Sequence, residues 1–243
     1  MRAIILAAGR GSRMGGLTED RPKCLVDLGG RPLLDWQVAA LRAAGCTEVA
    51  AVAGYRAEAL EGRGLTLFRN PRWAETNMVA SLHRAAAWLA AGPCIVSYAD
   101  IFYAAATVRR LMQAAADIAI SYDPDWQALW SARFADPLSD AESFLLRPDG
   151  TVADIGRRPG SLAEVQGQYM GLLRIAPAGW ARIAAHGAAS GPAALDRLDM
   201  TSLLRALIAA GEAVQALPCE GAWGEVDSAS DLAFYAARLA PAG

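Results

Sequence analysis

Histidine is nearly absent from this chain: His83 and His186 are its only two. A histidine-rich metal centre is therefore excluded. Cysteine is almost as sparse. Cys24, Cys46, Cys94 and Cys219 lie far apart, with no C-x-x-C pair. That spacing supports neither a zinc site nor a disulfide framework, so buried free thiols are expected. No apolar run approaches the ~18 residues of a membrane span. The first run, Ala3–Ala8, is too short for a signal-peptide core, and a glycine turn ends it. Net charge is small too, −2 over 243 residues. No global field pulls the chain toward nucleic acid or an anionic membrane, and any phosphate binding must come from local cations. A compact cytoplasmic enzyme is the expectation.

What is present is apolar. Hydrophobic residues make up 54% of the chain, too many for disorder and enough for one substantial core. Strand-like and helix-like segments alternate. The pattern predicts an α/β fold: a Rossmann-like, mostly parallel sheet flanked by helices. Strands are expected at 2–7, 48–53, 65–69, 94–98, 117–122, 169–175 and 213–217. Helices are expected at 33–43, from Thr76 or Asn77 to Ala91, at 104–116, at 200–210, and from Ser228 or Ser230 to a stop before Pro241. No linker or repeat divides the chain, so one domain over 1–243 is the simplest organisation. The stretch 123–167, rich in Asp, Pro and Trp, reads as an insertion over the active-site edge of the sheet.

The first strand runs into Gly9-Arg10-Gly11-Ser12-Arg13, then Thr18 and Pro22-Lys23. Glycines let backbone N–H groups approach a phosphate chain. Arg10, Arg13 and Lys23 supply the charge a polyphosphate needs neutralised. The segment is not a P-loop, because no Gly-Lys-Ser/Thr occurs. It is not a full dinucleotide fingerprint either, because Met14 stands where the third glycine belongs.

Two aspartates stand where ligands bind in open α/β sheets, or could reach that edge. Asp100 follows the strand 94–98, well placed to hold magnesium against a triphosphate. Asp227 lies in Trp223-Gly224-Glu225-Val226-Asp227. Each could equally cap a helix. Four large aromatics, Trp126, Trp130, Tyr169 and Trp223, lie near acidic residues. They could cage an organic cation, at ~0.5–2 kcal/mol per contact, or serve as plain core packing.

The pattern Gly9-x-Gly11-x-Arg13…Thr18…Pro22-Lys23 resembles the signature of nucleotidyltransferases that join a nucleoside triphosphate to a small phosphorylated compound. Thr76-Asn77-Met78-Val79-Ala80-Ser81-Leu82 and the segment 223–227 are similar to stretches of the phosphocholine cytidylyltransferase group. That resemblance implies Arg13 and Lys23 as catalytic residues. It implies nucleotide contacts from Leu6, Ala8, Gly9, Arg10, Gly11, Asn77 and Ser81, and Mg2+ on Asp100 and Asp227. With the aromatics and Glu225 on the acceptor side, it implies Mg-dependent transfer from CTP to an amine-bearing phosphorylated acceptor, with pyrophosphate released. CTP or another nucleoside triphosphate and that acceptor are the implied partners, and a homodimer is allowed. The competing readings are a sugar-1-phosphate nucleotidyltransferase, an NAD-dependent oxidoreductase and a non-catalytic nucleotide sensor. Against the oxidoreductase stand Met14 and Ala53-Gly54-Tyr55, where an acidic residue should close strand two.

Overall fold

The computed structural model describes residues 1–239. It opens with β1 (Arg2–Ala7), α1 (Leu33–Ala44), β2 (Glu48–Ala53) and β3 (Thr66–Arg69). Then come α2 (Met78–Leu82), α3 (Ala86–Ala91), β4 (Cys94–Tyr98), β5 (Ile101–Tyr103) and α4 (Ala105–Met112). β6 (Ile118–Asp123), α5 (Trp126–Arg133) and the hairpin β7 (Phe144–Leu146) with β8 (Val152–Ile155) follow. The chain continues through β9 (Gln168–Ile175), α6 (Pro177–Ser190), α7 (Pro192–Arg197), α8 (Met200–Ala209), β10 (Val214–Pro218), β11 (Trp223–Glu225) and α9 (Ala229–Leu239). Among the described residues, seven strands form the central sheet, in the order β10-β6-β9-β4-β1-β2-β3. Within this sheet the pairings are parallel except those of β9, which is antiparallel to both β4 and β6.

The alternation along β1 explains why it is central. Ala3, Ile5 and Ala7 pack with Leu34 and Leu41 of α1 and Val108 and Leu111 of α4. Ile4, Leu6 and Ala8 face the other layer, with Leu82, Leu89, Ile183, Leu203 and Leu207 from α2, α3, α6 and α8. Successive strand side chains point to opposite faces, so a continuous apolar run is buried twice over. Each fully buried Ile or Leu contributes about 1.5–3 kcal/mol. After β1 the chain moves to β2 on one side, and β4 lies on the other. The winding therefore reverses at the β1/β4 boundary, the place where such sheets open a crevice beyond their carboxyl ends.

Two departures from the sequence reading stand out. The helix expected from Thr76 to Ala91 is two short helices joined by a tighter turn at His83–Ala85, which sets the His83 ring edge-on to Trp180 at 4.7 Å. The helices α6 and α7 were not anticipated, although Pro177 and Pro192 sit in their first turns, where proline favours a start. The expected stop before Pro241 lies outside the described residues. The four cysteines are free, three of them buried. No helix among the described residues is long and apolar enough to cross a membrane.

Candidate active site

The glycine turn is shaped around Lys23. Gly11 has φ +75°, and a Cβ there would sit 2.7 Å from the Lys23 Cβ. Glycine satisfies both demands, the left-handed backbone and the close approach. Thr18 is fully buried; its hydroxyl donates to the Gly11 carbonyl (3.0 Å) and pins the turn. Met14 packs with Val26, Leu28, Leu33 and Tyr235. The third fingerprint position is thus a core residue that anchors the loop. Lys23 follows Pro22, whose extended backbone starts a short turn at Lys23–Leu25. Gly11→Ala is expected to push the Lys23 side chain aside and lower kcat by about 10²-fold, the penalty of a misplacement near 1 Å. Steady-state kinetics beside an unchanged circular dichroism spectrum checks this.

Backbone pairing brings the two aspartates together. β11 runs antiparallel to β5, with Glu225 opposite Ile101. One step beyond, the Val226 N–H donates to the Asp100 carbonyl (2.8 Å). Gly224 permits this contact, since a Cβ there would meet Tyr235 and Phe102 within 2.6 Å. Carboxylate oxygens of Asp100, Glu225 and Asp227 all lie within 4.8 Å of one another. Lys23 donates to Asp100 Oδ2 at 2.9 Å and also to Asp227. Arg13 Nη1 meets Asp227 Oδ2 at 2.8 Å. Burial alone would lower the Lys23 pKa, but Asp100 and Asp227 outweigh it, and the net shift is upward. Burial pushes the Glu225 carboxyl up to about 8, with repulsion from Asp100 and Asp227 adding to it. Three carboxylates face two cations, and Asp100 Oδ1 is buried with no hydrogen-bond partner among the described residues. Such a cluster can accept a hard cation.

A second layer holds Asp227. Asp231 accepts the backbone N–H of Asp227 (3.0 Å) and of Ser228 (2.9 Å). The Asp231 N–H returns to the Ser228 hydroxyl. This is a capping box at the start of α9. Arg133 Nε donates to Asp231 Oδ1 (3.1 Å), with both side chains buried. Burial works to raise the Asp231 pKa, but the hydrogen bonds from Arg133 and Ser228 prevail and hold it below the usual carboxylate range. Removing one partner of a buried pair strands the other. Asp231→Ala is expected to cost about 3 kcal/mol or more of unfolding free energy, read from the urea midpoint.

Two adjoining cavities open on this cluster. One, of about 210 Å³, is lined by Leu6, Ala8, Gly9, Gly11, Arg13, Lys23, Asn77, Ser81 and Asp100. Arg10 is not in its lining; it lies over the Tyr55 ring at 5.6 Å. Asn77 caps α2 by accepting the Met78 N–H, and Ser81 accepts from Asn70 Nδ2. The other cavity, of about 350 Å³, is lined by Trp130, Tyr169, Glu225 and Asp227, together with Asp140, Glu142, Gln168 and Asp199, which the sequence did not single out. Arg13, Met78 and Tyr98 line both.

The four aromatics do not converge into a cage. Trp126 is buried, and its indole N–H donates to the Val165 carbonyl (3.0 Å). Trp223 is buried too and donates to Asp123 Oδ2 (2.8 Å). A buried indole needs a partner for its N–H, and both found one in the core, away from the cavity. Trp130 and Tyr169 alone of the four reach the cavity wall.

Comparison with known proteins bears on the family and the fold. The CTP:phosphoglutamine cytidylyltransferase of Campylobacter jejuni subsp. jejuni serotype O:2 is 35% identical over 96% of this chain and 98% of its own length. The inositol-1-phosphate CTP transferase from T. maritima shares the fold, with a TM-score of 0.76 at 17% identity, covering 100% of this chain and 98% of that one. The CTP:phosphocholine cytidylyltransferase from Streptococcus pneumoniae does so with a TM-score of 0.71 at 22% identity, covering 98% of each. The family model described as the MobA-like NTP transferase domain matches residues 3–151. On the glycine turn, the sheet that carries it and these similarities, the chain belongs to the nucleotidyltransferase family of MobA-like NTP transferase domains.

Proposed function

We propose that the protein transfers a cytidylyl group from CTP to a small, phosphorylated, amine-bearing acceptor and releases pyrophosphate. The observation that carries this reading is the meeting of two cavities at Arg13 and the carboxylate cluster. One cavity offers a phosphate-binding turn, the other an acidic wall. The choice of CTP is supported by the 35% identical cytidylyltransferase, which spans nearly the whole chain.

The acceptor's phosphate or phosphonate oxygen is already an anion, so attack on the α-phosphorus needs no general base. Catalysis is then positioning and charge neutralisation. Lys23 balances charge on the α-phosphate as it builds in the transition state. Arg13 holds the β- and γ-phosphates and stabilises the leaving pyrophosphate. The turn at Gly9 and Gly11 offers backbone N–H groups to the phosphates, while Leu6, Ala8, Asn77 and Ser81 border the nucleoside. Magnesium is the proposed cofactor. Asp100, Glu225 and Asp227 are all-oxygen donors, which suit it, and Asp100 Oδ1, with no hydrogen-bond partner among the described residues, is an acceptor that can meet a cation. When bound, the ion supplies charge neutralisation on phosphate oxygens.

A pyrophosphate-release screen tests the reading. Each common nucleoside triphosphate is paired with phosphocholine, phosphoethanolamine, aminoethylphosphonate, phosphorylated amino acids and sugar 1-phosphates. Release with CTP and an amine-bearing acceptor is expected. Activity confined to sugar 1-phosphates would overturn it in favour of the sugar-nucleotide reading.

A further inference from the structure

Resting on the cytidylyl-transfer reading, we infer that the acceptor's amine is an N–H-bearing ammonium, received by Glu142 together with Gln168, and that the acceptor cavity discriminates against quaternary ammonium groups. The cavity wall carries Asp140, Glu142, Asp199 and Glu225, and Arg13, its one lining cation among the described residues, is paired with Asp227. The field therefore favours a cation. Field alone does not separate one ammonium from another; the hydrogen-bond inventory does.

Asp199 is already occupied. It caps α8, accepting from the Ser202 N–H (2.7 Å), the Ser202 hydroxyl (2.9 Å) and the Thr201 hydroxyl (3.1 Å). Glu225 belongs to the cation cluster. Glu142 differs: among the described residues nothing donates a hydrogen bond to it. The nearby Arg205 is turned to the Gly156 carbonyl (2.8 Å). Burial, with repulsion from Asp199, pushes the Glu142 carboxyl up, a penalty that an adjacent ammonium offsets. Gln168 is 6% exposed, lines the same cavity, and its Oε1 has no partner among the described residues. A buried acceptor with no donor costs free energy until a ligand supplies one.

A primary ammonium brings three donors, enough for both acceptors. A quaternary ammonium brings none. It can rest only on the aromatic faces of Tyr98, Trp130 and Tyr169 in the wall, leaving the Glu142 and Gln168 oxygens without a donor, while Trp126 and Trp223 are committed to the core. Sites built to hydrogen-bond a substrate N–H reject the analogue lacking it far more strongly than apolar pockets reject a methylene.

The test compares kcat/KM for phosphoethanolamine, phosphocholine and ethyl phosphate at saturating CTP. Phosphoethanolamine is expected to exceed phosphocholine by about 10²-fold or more. In Glu142→Gln, the ratio of phosphoethanolamine to ethyl phosphate should shrink by about 10- to 100-fold, chiefly through KM, the scale of one charged hydrogen bond. Gln168→Leu should shrink the same ratio. Both acceptors are measured on one preparation, so a folding loss cancels. Phosphocholine used as well as phosphoethanolamine, or an equal loss for both acceptors in Glu142→Gln, would overturn the inference and leave cytidylyl transfer standing. No pyrophosphate from CTP with any acceptor of the wider screen would reject cytidylyl transfer itself, and this inference with it.

Discussion

Lys23→Ala is expected to lower kcat by about 10²–10³-fold, the cost of losing one preorganised charge-stabilising donor at a transition state. The side chain is only 10% exposed and its ammonium is shared between Asp100 and Asp227. Its ammonium stays charged because those carboxylates outweigh its burial. The effect should fall on kcat rather than KM, since charge on the α-phosphate grows only as the bond to the acceptor forms. Lys23→Arg should not rescue. The lysine stem fits beneath Gly11, where even a Cβ would collide, and a guanidinium fork is broader than a single ammonium. Turnover by pyrophosphate release, with circular dichroism for the fold, decides it. Near-normal kcat in Lys23→Ala would remove Lys23 from the mechanism.

Asp100→Asn should be comparably severe, for a different reason. It converts one member of a three-carboxylate cluster to a neutral amide at the position whose Oδ1 has no partner. Magnesium is held by one or two carboxylates plus phosphates and waters, so losing one should raise the metal requirement and cut maximal turnover. The measurement is activity against magnesium concentration. The wild type should saturate, and the variant should stay at least about 10²-fold below it throughout the titration, consistent with loss of Lewis-acid charge stabilisation. An unchanged magnesium profile would take Asp100 out of the ligand set.

How far the sequence revealed the molecule depends on the distance over which each signal acts. The Gly9–Lys23 loop was legible because its meaning is local: glycine freedom, a proline before a lysine, a buried threonine closing the turn. The strand order and the antiparallel β9 were not, since pairing is decided between distant segments. Asp100 and Asp227 could be named separately. Their meeting depends on the β5–β11 register and on Gly224, a short pairing with little sequence signal. The aromatic cage failed as a reading because composition cannot say which way an indole points; Trp126 and Trp223 found carbonyl and carboxylate partners in the core. Glu142 and Asp140 sat unnoticed in the 123–167 segment because nothing local sets them apart. Asp231 could have been found: Ser228-x-x-Asp231 has capping-box spacing, and its second task, holding Asp227, follows from that geometry.

The central claim is that bond formation occurs at the α-phosphorus, where the two cavities meet. Phosphorus NMR of CTP with phosphoethanolamine, magnesium and enzyme reads this directly. Pyrophosphate and a new diphosphate-bridged cytidine product are expected in equal amounts, with both appearing about 10²–10³-fold more slowly when Lys23 is replaced by alanine. Appearance of CDP or orthophosphate in place of that pair would contradict it, because the attack would then fall on another phosphorus or come from water.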